Sequence, residues 1–374
     1  MFEKIKERGR KKMKNMKLML VLVVMLIASM LFAGCGPAAT TAATTAATTA
    51  ATTAATTAAT GELSSEWSGL PAKVSVIDFG LDPAEVASKK YTIGFAQCVM
   101  DHPYRIDMVD RAEKWCKEYG VEFVMMDGQG NAAKEVSNIE SLIAQGVDAI
   151  VISSHGGVAI TPALAQAKEQ GIPIVLIDGG KPFPDWEFVT WMSTDDSALG
   201  DIAGKLLVED LGGKGKVAII EGTSGSSCSE GRAYGFKNVI DQYKDIQVVA
   251  QQDCNWLRKN GIDVITNTLQ ANPDLKAVYA HNDELALGAV EAIEAAGLVA
   301  GKDVMVYSAG DYQTNMFAAI KAGKVVSTSV YKNDGDWACE AAVAYLMGKA
   351  VDHKINLGTR TCTIENVDTE TPAY

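Results

Sequence analysis

Histidine is scarce in this chain. Only four occur in 374 residues, and none of the seven cysteines stands in a CxxC pair. Neither residue type offers the spaced ligand set that zinc needs, so no metal and no cofactor is expected. There is no GxSxG stretch, and with it no serine nucleophile on a strand-to-helix elbow. Positive charge is also short, with 34 Lys and Arg against 46 acids and a formal charge of −12. Eight of the bases and only two of the acids fall in the first 34 residues, which leaves −18 on the remainder. Such a surface repels nucleic acid and anionic lipid headgroups, so neither is expected to bind through charge.

What is present begins with an unusual N-terminus. Residues 1–17 are basic, and residues 18–33 (LMLVLVVMLIASMLFA) are almost continuously apolar. That run is slightly long for a signal core and slightly short for a spanning helix, so an uncleaved membrane anchor competes with a cleaved signal. The sequence Leu31-Phe32-Ala33-Gly34-Cys35 decides between them. It resembles the lipobox of bacterial lipoproteins, with Phe32 where that family usually has Leu. The resemblance implies a signal peptide over residues 1–34 and a lipidated Cys35, an anchoring thiol and not a catalytic one. Residues 38–60 then repeat Ala-Ala-Thr-Thr with no large apolar side chain. Such a segment has no core to offset its ordering entropy, and residues 35–84 read as a tether. As a random coil the repeat spans about 25–30 Å.

From residue 90 onward, strand and helix alternate. YTIGFAQ (91–97), VEFVMMD (121–127), DAIVISS (148–154) and IPIVLID (172–178) are apolar runs separated by amphipathic segments. After VTWMSTDD (189–196) the rhythm restarts with KVAIIEG (216–222), IQVVAQQ (246–252), KAVYAHND (276–283), DVMVYSAG (303–310) and VVSTSVY (325–331). Two such series predict an α/β protein with two doubly wound parallel-sheet, Rossmann-like domains. The cysteines at 98, 116, 228, 254, 339 and 362 fall mostly in apolar-periodic segments, so buried free thiols are expected.

Several strands end in polar residues. Asp178 follows IPIVLI, Asn282 and Asp283 follow AVYAH, Asp311 follows MVYSAG, and Asp101-His102 follow GFAQCVM. One of Asn282 and Asp283 is expected to cap the helix they precede. In doubly wound sheets the carboxyl ends of the strands form the binding crevice, so polar ends from two domains predict a small-ligand site. His155, at the end of the third strand, is a further candidate for its rim.

With these residues in order, the chain resembles the type I periplasmic sugar-binding proteins of bacterial ABC transporters, the ribose, galactose and xylose group, in lipoprotein form. YTIGF…DHPY, GVDAIVISS, GIPIVLID, GRAYGF and AVYAHNDELALGA carry the resemblance over about residues 90–360. It implies a periplasmic binding protein type I fold, in which two lobes joined by a three-crossing hinge close on a monosaccharide. The lobes fall at 85–194 plus 332–358 and at 195–331 plus 359–374. Position by position, it implies ligand contacts from His102, Tyr104, Arg105, Asp178, Arg232, Trp256, Asn282, Asp311 and Tyr331. Arg105 stands where ribose binders have a second aromatic, Gly179 where they have an Arg, and Tyr331 where they have Gln or Asn. Arg105 either supplies the lost guanidinium from the opposite side of the pocket or joins Arg232 in gripping a carboxylate. The aspartates favour the first option and a neutral pentose, hexose or polyol.

The expected partners are that sugar, the permease subunits of an ABC importer and a membrane reached through the N-terminal lipid, with a monomer outside the cytoplasm. A ligand sensor serving a chemoreceptor or sensor kinase shares the same chemistry. An exported sugar-derivative hydrolase would need an acid in apolar surroundings, which the sequence does not point to. A regulator of the same fold would need a DNA-binding N-terminus, and a signal and tether stand there.

Overall fold

The computed structural model describes residues 77–178 and 186–374. The leader, Cys35, the Ala/Thr repeat and Gly179 lie outside them.

The described chain forms two six-stranded sheets. The first contains β1 (Thr92–Gln97), β2 (Glu122–Asp127), β3 (Ala149–Ser153), β4 (Ile174–Ile177), β5 (Thr190–Ser193) and β11 (Lys354–Asn356). Their order is β11-β5-β4-β3-β1-β2, and every pair is parallel. The second contains β6 (Lys214–Glu221), β7 (Asp245–Asp253), β8 (Leu275–Ala280), β9 (Met305–Ser308), β10 (Ser327–Ser329) and β12 (Thr361–Thr363). Its order, β12-β10-β9-β8-β6-β7, repeats the first, with only β12 antiparallel to its neighbour. The topology is the doubly wound one read from the alternation. β11 and β12 are three-residue strands and leave no periodicity to read.

Strands β3 and β4 are buried along their whole length, as parallel strands covered on both faces must be. The helices between strands are set by local signals. α2 (Pro103–Glu118) starts with Pro at its first turn and His102 as N-cap, whose Nδ1 accepts from Tyr104 N–H at 3.1 Å. α3 (Ala132–Gln145) is capped by Asn131 and ends at Gly146, whose φ is +71°. It buries Ile139, Leu142 and Ile143, the i, i+3, i+4 pattern of a core-facing helix.

The chain passes between the sheets three times. The passages lie between β5 and α5 (Asp196–Leu211), between β10 and α10 (Gly335–Leu346), and between β11 and β12. α10 packs on β3, β4 and α2, and so belongs with the first sheet. In the second lobe, α5 lies directly against α6 (Ser227–Ile240). A Cβ at Gly235 would stand 1.9 Å from Ser197 O, and one at Gly200 2.1 Å from Arg232 O. Only glycine permits this approach, and it fixes the helix that carries Arg232. All six described cysteines are free and buried.

Candidate functional site

The site begins at the carboxyl ends of the strands. β1 leads to His102, Tyr104 and Arg105. β3 leads to His155, β4 to Asp178, β7 to Trp256, β8 to Asn282, β9 to Asp311 and β10 to Tyr331. Arg232 projects from α6. All nine residues read as ligand contacts line one cavity of about 460 Å³, together with His155, Glu135, Cys228, Asp101 and other neighbours. The space lies between the two sheets' carboxyl ends, where strand order reverses in each sheet.

Asp178 is the hub of the first-lobe wall. Its Oδ2 accepts from Arg105 Nη1, and its Oδ1 accepts from the Tyr331 hydroxyl at 2.7 Å. Arg105 Nη1 also donates to Ser153 Oγ at 2.7 Å, and Nη2 lies 3.1 Å from His155 Nε2. Arg105 therefore does supply a guanidinium to this pocket. It does so beside Asp178 and not from the opposite side, because its long side chain folds over the end of β3 to reach the end of β4.

The second-lobe wall is built round Arg232, which is 2% exposed. Its Nε donates to Asp196 Oδ1 at 2.9 Å, and its Nη1 donates to the His281 carbonyl. The guanidinium lies 5.2 Å from the Trp256 ring and 4.6 Å from the Tyr331 ring. Such stacking holds a cation flat while leaving donors at its edge. Burial pushes Asp196 up to about 6, against the pull of Arg232.

Across the cleft, Asn282 Nδ2 lies 2.9 Å from His102 Nε2 and donates to Trp256 O at 3.3 Å. Asn282 Oδ1 accepts from Leu285 N–H at 3.0 Å, so Asn282 is the cap of α8 (Asp283–Ala295) and Asp283 is not. Asp283 turns inward instead. Its carboxylate accepts from Ser308 Oγ and Thr328 Oγ1, both at 2.6 Å, and from Gln313 N–H at 2.9 Å. Burial and the neighbouring Asp311 push it up to about 8. Burial also raises Asp311, whose Oδ2 lies 3.8 Å from His102 Nε2. His102 is pushed down by burial, which outweighs the pull of Asp311, and stays neutral near pH 7. The expectation that no acid sits where its pKa is raised therefore fails: burial raises Asp196, Asp283 and Asp311, and Asp334 and Asp336 as well.

Backbone strain gathers here as well. Seven described non-glycine residues have positive φ, and five of them are Asp178, Asn255, Trp256, Asp311 and Tyr312. Asp and Asn tolerate this region, but for Trp and Tyr it is strained. Strain of this kind persists where surrounding structure holds side chains for a purpose.

The fold and this cleft can be set beside known proteins. A family model described as a periplasmic binding protein domain matches residues 93–350. The chain belongs to the periplasmic binding protein family. Within that family, the ribose import binding protein of Bacillus subtilis is 36% identical over 72% of this chain and 86% of its own. The arabinose transporter's periplasmic binding protein from Shewanella sp. ANA-3, solved with L-arabinofuranose, has a TM-score of 0.70 and 32% identity, covering 74% of this chain and 93% of that one. A fructose-binding periplasmic domain of a hybrid two-component system has a TM-score of 0.69 and 26% identity, covering 75% and 92%.

Among periplasmic binding proteins the ligand must be read by what this cleft leaves unengaged. Both guanidinium groups are already paired with an aspartate, Arg105 with Asp178 and Arg232 with Asp196. The cavity lining holds four acids, Asp101, Glu135, Asp178 and Asp311, against these two cations. Among the described lining residues, both cations are thus already paired with an acid. Cys228 and Glu135 escaped the sequence reading. Cys228 Sγ lies 3.3 Å from the Tyr331 hydroxyl, and no periodicity distinguishes it from core. Glu135 sits in the first turn of α3, where an acid reads as an ordinary dipole partner.

Proposed function

We propose that the protein captures a neutral monosaccharide or polyol between its two lobes and delivers it to an ABC importer. The observation that carries this reading is the convergence of nine polar and aromatic residues on one cavity, with contributions from both sheets and from the passage at Tyr331. A sugar has apolar C–H faces and a polar rim. Tyr104 and Trp256 supply ring surface, and Arg232, Asn282, His102, Asp178 and Asp311 supply donors and acceptors. An unpaired buried partner costs about 1–3 kcal/mol, so the wrong epimer is rejected. The paired state of both arginines favours a neutral ligand over a sugar acid.

In this reading residues 85–194 plus 332–358 form one rigid lobe, and residues 195–331 plus 359–374 the other. They hinge at the three passages, and closure buries the sugar. Solution scattering tests it: adding the sugar should lower the radius of gyration. Tight binding with an unchanged radius would overturn capture by closure.

The same reading places lipid on Cys35 and the protein outside the cytoplasm. Cys35→Ala should leave the membrane fraction, and retention would indicate an uncleaved helix instead. Kinship with a two-component sensor domain supports a second reading, presentation of the sugar to a signalling receptor. Sugar uptake that persists in a strain lacking this protein would favour it.

A further inference from the structure

Beside Arg105 the cavity is also lined by Glu135 and His155. Glu135 is 4% exposed yet lines it. Its Oε2 accepts from Ser154 Oγ and from Gly156 N–H at 3.2 Å. Among the described residues, Oε1 accepts from no protein group. His155 lines the same space, with Nε2 3.1 Å from Arg105 Nη2. A guanidinium only donates, so Nε2 is the acceptor and the neutral ring carries its hydrogen on Nδ1. That Nδ1–H has no partner among the described residues.

Glu135 is bonded to Ser154 and Gly156, the residues on either side of His155, so one unengaged acceptor and one unengaged donor come from the same part of the lining. A hydroxyl group both donates and accepts, and it alone among sugar groups satisfies such a pair. Asp178, which also accepts from Tyr331, meets Arg105 at Nη1, and His155 meets it at Nη2, so the unengaged pair stands apart from the Asp178–Tyr331 groups.

We propose that Glu135 and His155 form a subsite for one hydroxyl carried outside the sugar ring, the hydroxymethyl arm of a six-carbon sugar in its pyranose form. This rests on the sugar-binding reading of the cavity. Arg105 then positions His155 at the subsite while it orients Asp178 at the ring.

The test uses sugars of one ring stereochemistry that differ at a single carbon. L-arabinose, D-fucose and D-galactose form one series. D-xylose, 6-deoxy-D-glucose and D-glucose form a second, and D-ribose, 6-deoxy-D-allose and D-allose a third. In a series that binds, the hexose should bind at least about tenfold more tightly than both relatives, as one buried hydrogen-bonded hydroxyl implies. Glu135→Gln turns the unengaged acceptor into a donor, and His155→Phe removes the donor. Either variant should collapse the ratio of hexose to 6-deoxy affinity towards one. Equal binding of hexose and 6-deoxy sugar by the unaltered protein, or a ratio that survives both variants, overturns the subsite. Binding of none of these sugars and of no ketohexose or polyol overturns the sugar-binding reading itself, and binding of a polyol or of a pentose alone overturns the subsite.

Discussion

Asp311 is the residue whose protonation matters most to the ligand. In the proposed site its carboxylate would accept from a sugar hydroxyl, and as an acid it would offer one acceptor fewer. Burial raises its pKa, offset in part by His102 and Arg232 and reinforced by Glu284. Affinity should therefore fall as pH drops through that raised pKa, earlier than for an exposed aspartate. Asp311→Asn should bind about 10–100-fold more weakly at pH 7 and lose this acid limb. Calorimetry across pH reads both effects, and an acid limb that survives in the variant would assign it to another group.

Arg232 needs a different experiment. Removing it alone strands the buried Asp196 and should cost about 3–5 kcal/mol of stability, so lost binding would be ambiguous. Replacing both partners with apolar residues should recover much of that stability without recovering sugar affinity, read by denaturant melts and calorimetry together.

Much of this residue detail was legible because polar side chains at the ends of apolar strands have few other uses. The pairings were not. Whether Arg105 meets Asp178 or faces it depends on rotamers of a long chain, and Asp283 looks like a cap until Ser308, Thr328 and Gln313 are placed around it.

At the scale of elements, the repeat of sheet order in the two lobes follows from the alternation of apolar runs with amphipathic helices. Caps and glycines in the sequence mark the helix ends. Three-residue strands such as β11 and β12 carry too few side chains for a period, and tertiary pairing alone defines them. The α5–α6 contact gives a sharp test. Gly235→Ala places a methyl 1.9 Å from the Ser197 carbonyl, so the helices must separate. A loss of about 1–3 kcal/mol in chemical denaturation is expected, with weaker sugar binding because Arg232 lies one turn away. Unchanged stability would mean the helices are not in contact.

At the scale of the molecule, the lobes meet at more than the sugar. Arg111 on α2 donates from Nη2 to the Ala373 carbonyl at 2.7 Å, while Ala373 N–H donates to Tyr312 O and Thr314 N–H donates to Tyr374 O, both at 2.8 Å. The final residues thus tie the second lobe to the first. Arg111 is over a third exposed, so the bond is modest. Arg111→Gln should raise the sugar's dissociation rate by about two- to tenfold with little change in melting temperature. Stopped-flow release of bound sugar measures this, and an unchanged rate would place Arg111 outside the closing contact.

The central claim is that two neutralised arginines leave this cleft fit for an uncharged sugar. It is tested most directly by titration calorimetry of the protein, stripped of bound ligand, against neutral pentoses, hexoses and polyols and against the matching sugar acids. One-to-one binding of a neutral sugar, with its uronic acid bound at least about a hundredfold more weakly, is the predicted result. Preferential binding of the sugar acid would contradict it, because Arg105 and Arg232 would then be serving the ligand and not Asp178 and Asp196.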